Sequence, residues 1–304
     1  MELVSSSTTV KKSLVYRIIT LVCLAGMLVG VGFSLFYFLY FEAIDYSKYS
    51  PAQFEDNQVA LMEKYENTAK VDYFDTFKPY ELANIAVNKL GQHEYAKSVA
   101  KGVVHAAISD QKTDSYYQKS KDTYFFENIS LGFKQIYLRF YQTHDEVLQY
   151  RGNANSWNKT VDKRYNLTSF EDKWGRNLSR YSIFIVSSKT TLMDQTTKTK
   201  QDGKIYLSLE LHPIYSVLRY VKQMMATSDM ETPPSFHKMH LNLTLDEDLN
   251  LLHSRTEEKY DIHMYGINIP NASAYLDETL IYDVPEEAPT LDEACDYSPA
   301  EPNQ

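Results

Sequence analysis

Residues 18–41, from Ile18 to Phe41, carry no charged side chain, and this run constrains the chain more than any other feature. At about 1.5 Å per helical residue it reaches roughly 36 Å, enough to cross a ~30 Å hydrocarbon layer with some tilt. Lys11, Lys12 and Arg17 precede it, whereas Glu42, Asp45, Lys48, Glu55 and Asp56 follow. Lys and Arg beside a span favour the cytoplasmic side. The expected arrangement is therefore a cytoplasmic segment (1–17), a single transmembrane helix (18–41) in contact with the bilayer, and the remaining chain outside the cell membrane. Phe33, Phe36, Tyr37, Phe38, Tyr40 and Phe41 crowd the outer end, where aromatic rings prefer the headgroup level.

A cleaved signal peptide would have an apolar region of about 7–15 residues and a small-x-small cleavage site. This run is longer and leaves through bulky rings. Cys23 follows Val22 and is itself followed by more apolar sequence, which is the wrong setting for a lipidated cysteine. Gly26, Gly30 and Ser34 recur every four residues, a spacing that lets two spans approach closely and predicts a homodimer through this helix.

The net charge of −9 excludes a nucleic-acid partner, which requires a basic surface. Part of that charge belongs to residues 283–304, which hold seven acidic residues, four prolines and no Lys or Arg and read as a disordered tail. The two cysteines, Cys23 and Cys295, lie in the span and the tail, so the outer domain is expected to fold without a disulfide, a habit more typical of bacterial surfaces. N-x-S/T sequons nonetheless occur at Asn128, Asn158, Asn166, Asn177, Asn242 and Asn271.

Past the span, residues 42–69 read as a juxtamembrane linker with a short helix over 54–65. Pro79 at a first helical position, then Leu82, Ile85, Ala86 and Leu90, predict a helix stopped by Gly91. Residues 95–127 predict two or three strands, 133–141 suit either a helix or a strand, 145–151 a strand and 157–166 a loop. Thr168 and Glu171 have the spacing of a capping box, and 181–186 is rich in strand-forming residues. After the Asp202-Gly203 turn, Ile205, Leu207, Leu209 and Leu211 share one face of a strand. His212-Pro213 then opens a helix whose stripe is Ile214, Val217, Leu218, Val221, Met224 and Met225.

The last third alternates strongly. Met239, Leu241, Leu243 and Leu245 are followed by Tyr260, Ile262 and Met264 on even positions. A two-residue loop at Glu247-Asp248 would set Leu243 opposite Leu252, Lys238 opposite Glu257 and His240 opposite Arg255. Residues 274–282 supply a final strand. The sum is an α+β domain over 70–282, a mostly antiparallel sheet with helices packed on one face.

No catalytic, cofactor or metal signature emerges. Asp246, Asp248, Asn250, Ser254 and Glu257 match calcium-loop positions, but Leu251 stands where that loop needs glycine and the flanks alternate as strands. Ser98 and Lys101 have a Ser-x-x-Lys spacing without its companion motifs. The eight histidines form no converging set, and ten glycines in the whole chain include no phosphate loop. The 25 tyrosines, among them Tyr206, Tyr265 and Tyr275 on expected strands, suit either a sheet or a binding surface.

The ending (LNLTLDEDLNLL…EEKYDIHMYGI) resembles the curved sheets of bacterial envelope lipoproteins that hold lipids, a likeness of fold with no matching functional residue. The expected function is a non-enzymatic binding domain displayed at the cell surface, with an unknown surface partner or ligand. The alternative is an envelope carrier or sensor that encloses an apolar ligand between a curved sheet and the 214–227 helix. That alternative predicts a pocket lined by Leu207, Leu209, Leu243 and Met264, and it fails if those side chains leave no space.

Overall fold

The alternating stretches form strands β1 (Tyr95–His105), β2 (Asp110–Ser120), β3 (Thr123–Leu131), β4 (Ile136–Gln142), β5 (Glu146–Arg151), β6 (Lys163–Asn166), β7 (Thr197–Gln201), β8 (Lys204–Leu211), β9 (Ser235–Leu245), β10 (Leu251–Met264) and β11 (Ile267–Tyr282). They join into one eleven-stranded sheet in the order β6-β5-β4-β3-β2-β1-β11-β10-β9-β8-β7. Every neighbouring pair is antiparallel. This computed structural model describes residues 43–106, 109–158, 160–228, 230, 232–264 and 266–285, together with Gly26, Met27 and Val31, which are helical. The rest of the 18–41 run lies outside the described residues, as do Gly30, Ser34, both cysteines and residues 286–304. Among the described residues, no helix is long and apolar enough to cross a membrane.

The helices are α1 (Gln58–Glu66), α2 (Tyr73–Thr76), α3 (Pro79–Gln92), α4 (Leu167–Trp174) and α5 (Leu218–Thr227). Pro79 occupies the first turn of α3, where its missing N–H costs nothing, and the Glu81 carboxylate accepts from the Lys78 N–H at 2.7 Å. Side chains of α1, α3, α4 and α5 share one apolar core with the sheet. Helix α3 packs on β8 and β10, while α4 packs on β5 and β6, so these helices close on opposite ends of the sheet. Residues 43–69 also join this core through the buried Tyr46 and Leu61, and the Tyr46 hydroxyl donates to the Pro234 carbonyl at 2.9 Å.

Several local expectations need correction. Helix α3 continues through Gly91 to Gln92. Helix α4 is capped by Asn166, whose side chain accepts from the Ser169 N–H at 2.8 Å, and not by Thr168. The expected 157–166 loop contains β6. Residues 181–186 pair with no strand; their bulky side chains turn inward, and the Ile185 N–H bonds the Ser216 carbonyl at 2.8 Å. Helix α5 begins at Leu218, because 213–217 form tight turns after Pro213.

The β9–β10 connection runs from Asp246 to Asn250, longer than two residues. The Asp246 carboxylate accepts from the Asp248 and Asn250 N–H groups, and Leu249 adopts a left-handed φ of 62°. A bulge between Leu251 and His253 restores the parity, which keeps even residues of β10 inward but shifts the register. Leu243 therefore faces Ser254, Lys238 faces Lys259, and His240 faces Glu257.

Candidate functional site

The inward face of the sheet changes character along its width. On β8 and β9 it is aliphatic: Ile205, Leu207, Leu209, Leu211, Met239, Leu241, Leu243 and Leu245 are all buried. On the middle strands the cross-strand rows read small and polar. One row runs Ser115, Ala100, Glu278, Ser254, and the next runs Thr113, Gly102, Leu276, Thr256. Large side chains fill the ends under the helices. The short ones in the middle do not reach across, and a cavity of about 300 Å³ remains.

The wall of this cavity draws on both arms of the sheet. Leu138 of β4 and Leu243 of β9 both line it. These strands stand six places apart in the sheet order, roughly 29 Å in a flat sheet at about 4.8 Å per strand. The sheet must therefore curl into a trough. Over the trough lie α5, through Tyr220, Gln223, Met224 and Thr227, and the segment 181–186. Those four positions form one helical face at i, i+3, i+4 and i+7, while Val217, Leu218 and Val221 pack into the core. Phe133, 46 % exposed, also lines the cavity and marks a place where it meets solvent.

Leu243 and Met264 are among the lining residues. Leu207 and Leu209 are not; they are buried on β8, the strand that α3 covers. The lining group that sequence reasoning missed is the small set (Ala100, Gly102, Ser115, Thr256 and Ala274) together with the polar residues on α5 and at 176–181. A signal existed: aliphatic alternation lapses on the even positions of β1 and β10, where Ser98, Ala100, Gly102, Ser254 and Thr256 stand.

Two polar clusters interrupt the apolar wall. In the first, the Glu278 carboxylate accepts from Ser98 Oγ at 2.5 Å and from Ser254 Oγ at 3.3 Å. Arg176 lies beside it with its guanidinium 3.9 Å from the centroid of the Phe126 ring, and Tyr181 completes the group. Burial pulls the Arg176 guanidinium below the usual arginine range, with the Glu278 charge opposing. Burial, and then the Glu278 charge, push the Tyr181 hydroxyl well above the usual tyrosine value. In the second cluster, burial drives Glu258 up to about 8, with the Tyr220 hydroxyl opposing, so its carboxyl is protonated at neutral pH. Along β10 the two clusters are separated by four steps of the strand, from Ser254 to Glu258, roughly 13 Å.

Other candidate chemistry does not assemble. Ser98 points inward to Glu278, while Lys101 is exposed on the opposite face of β1. His240 bonds Glu210, His253 bonds Asp277, and His237 pairs with Asp261, each His with a single carboxylate. Among the described residues, no group of three His, Cys, Asp or Glu could hold a metal. The acidic turn uses Asp246 to bind its own backbone. Asn128 of the first sequon lies in the cavity wall and donates to Ser115 Oγ at 2.8 Å. Tyr206 is 39 % exposed, and Arg255 stacks 4.8 Å over the Tyr275 ring; Tyr265 lies outside the described residues.

No family model matches the chain, and no curated protein sequence matches it. Solved structures that this chain resembles include the lipoprotein LppX of Mycobacterium tuberculosis, at 7 % identity and a TM-score of 0.32, covering 69 % of this chain and 97 % of that one. LprF of Mycobacterium bovis matches at 10 % identity and a TM-score of 0.33, covering 70 % and 96 %. A DUF1329 family protein of Desulfovibrio piger matches at 11 % identity and a TM-score of 0.27, covering 69 % and 93 %. A likeness at these scores says nothing about the site, whose chemistry has to be read from the cavity itself.

Proposed function

We propose that this protein is a carrier or sensor that holds an apolar, single-chain ligand in the trough between its curled sheet and helix α5. The domain stands outside the cell membrane, anchored by residues 18–41 with the N-terminus cytoplasmic, and it performs no chemistry on the ligand. The general expectation of a binding domain is kept, with its occupant inside the fold instead of on the surface.

One observation carries this reading: a cavity of about 300 Å³ whose wall is mostly apolar, in a domain whose flanking sheet and helices are otherwise tightly packed. Empty apolar space forfeits dispersion contacts and costs roughly 24 cal/mol per Å³. A fold that keeps such a space with small residues at Ala100, Gly102, Ser115 and Ala274 has its interior shaped for an occupant. The volume falls at the low end of ligand pockets, which suits one chain and not several.

The test is photo-crosslinking of the full chain in intact cells, fed an alkyl chain that carries a diazirine and an alkyne. Label is expected on peptides from 95–105 and 251–264, and Ala100→Phe, which fills the trough, should remove it there. Label confined to 18–41, or unchanged by Ala100→Phe, would sink the proposal.

A further inference from the structure

The first polar cluster has an imbalance of donors. A guanidinium carries five N–H donors and no acceptor. Among the described residues no hydrogen bond or ion pair is made by Arg176, and its Nε is buried without a partner. Its guanidinium stacks on the face of Phe126, and Glu278 acts on it through its charge alone. The Tyr181 hydroxyl is also buried, beside Glu278 and Ser254 but without a well-aligned hydrogen bond to either. The nearby acceptor, Glu278, is already served by Ser98 and Ser254.

A charged guanidinium that keeps a buried, unmatched donor is costly, far more so than a neutral group. Both side chains belong to the cavity wall, so the groups that would satisfy them must come from whatever occupies it. An ionised oxygen is the strongest acceptor a guanidinium can meet, and a planar two-oxygen head matches its fork.

We propose that the ligand is a single-chain amphiphile with an anionic head, a carboxylate or a phosphate monoester, and that the Arg176 guanidinium and the Tyr181 hydroxyl receive that head. The inference rests on the cavity being a ligand site. Arg176 is placed for this by the turn before it: Gly175 ends α4 in a left-handed conformation (φ 62°), which directs the next residue back over the trough. Glu278 sets an opposite charge beside Arg176, while its own oxygens accept from two serines. The alkyl chain then lies along the apolar wall toward Leu243, Ile262 and Met264.

The experiment uses the full chain in amphipol and reads the emission of Trp174, which lines the cavity; Trp157 lies in a separate cluster and gives a constant background. Three brominated 18-carbon probes, the carboxylate, the alkyl phosphate and the alcohol, are titrated as quenchers. One or both anions should bind about tenfold or more tightly than the alcohol. Arg176→Gln should bring the favoured anion down to the level of the alcohol and leave the alcohol unchanged. Arg176→Lys should keep most of the preference, which guards against a folding defect in the Gln variant. The difference between carboxylate and phosphate identifies which head the site takes. Equal quenching by all three probes, indifferent to Arg176→Gln, overturns the head-group assignment while the carrier reading stands. Quenching by none of them overturns both.

Discussion

Glu258 offers a measurement that follows from burial alone. Its carboxyl is enclosed in the trough, and the folded-state value of about 8 lies above the ordinary 4.5. Between those values the folded protein keeps a proton that the unfolded chain releases. Stability linked to this group is therefore full below about pH 4.5, falls as the pH rises, and levels off above about 8. Holding one extra proton costs about 1.4 kcal/mol for each step of one in pH across that interval, so the loss between pH 5 and pH 8 is on the order of 3–4 kcal/mol. Glu258→Gln keeps the shape and removes the proton. Urea unfolding of both proteins, followed by the buried Trp174, should give curves of stability against pH that converge at pH 5 and diverge steadily toward pH 8, the variant becoming the more stable. Any constant offset reflects the amide's own hydrogen bonds and does not bear on the reasoning. Two parallel curves, separated by the same amount at every pH to within about 0.5 kcal/mol, would show that Glu258 is solvated or paired and would refute the burial argument.

Leu209→Ala should destabilise the domain by about 3 kcal/mol, the ordinary cost of a cavity in a closed core, because Leu209 is fully buried beneath the helices; a change below 1 kcal/mol in the same urea assay would mean that this end of the sheet is loosely packed. Gly175→Ala should cost more than about 1 kcal/mol, since its φ is +62° and a Cβ would overlap the Arg219 carbonyl oxygen. The same variant should weaken binding of the anionic probe more than that of the alcohol, because it displaces Arg176, and equal weakening of both would contradict that placement. Glu127→Ala should cost about 3–5 kcal/mol by removing the carboxylate that pairs with Arg139, whose side chain is 0 % exposed and stacks on the Trp157 ring on the outer face; thermal melting checks this, and an unchanged melt would show that the pair adds nothing to stability.

Much of the fold was legible from local pattern. Alternation over Lys204–Leu211 and Met239–Leu245 specifies strands because the side-chain period of a strand is two, and Pro79 specifies a helix start because its φ is already helical. The 181–186 segment misled because strand-forming residues also suit an extended cover whose side chains face inward, and composition does not distinguish the two. The β9–β10 register misled for a related reason. The Asp246 turn and the bulge after Leu251 preserve parity, which pattern reveals, while moving the partner by two residues, which pattern does not.

By itself the sequence determined the elements: an uncharged run long enough to cross a bilayer, a strand-rich domain, and the side of each strand that avoids water. These follow from spacing, and spacing is local. Only the tertiary structure decided where the space is. The aliphatic residues that draw the eye, Leu207 and Leu209, fill the ends of the trough, whereas Ala100, Gly102, Ser115 and Thr256 leave its middle open. A cavity is a shortfall of volume summed over strands far apart in the chain, and it appears only when the curl of the sheet brings those rows to face one another. The same curl brings Arg176 and Tyr181 within reach of Glu278, roughly a hundred residues further along.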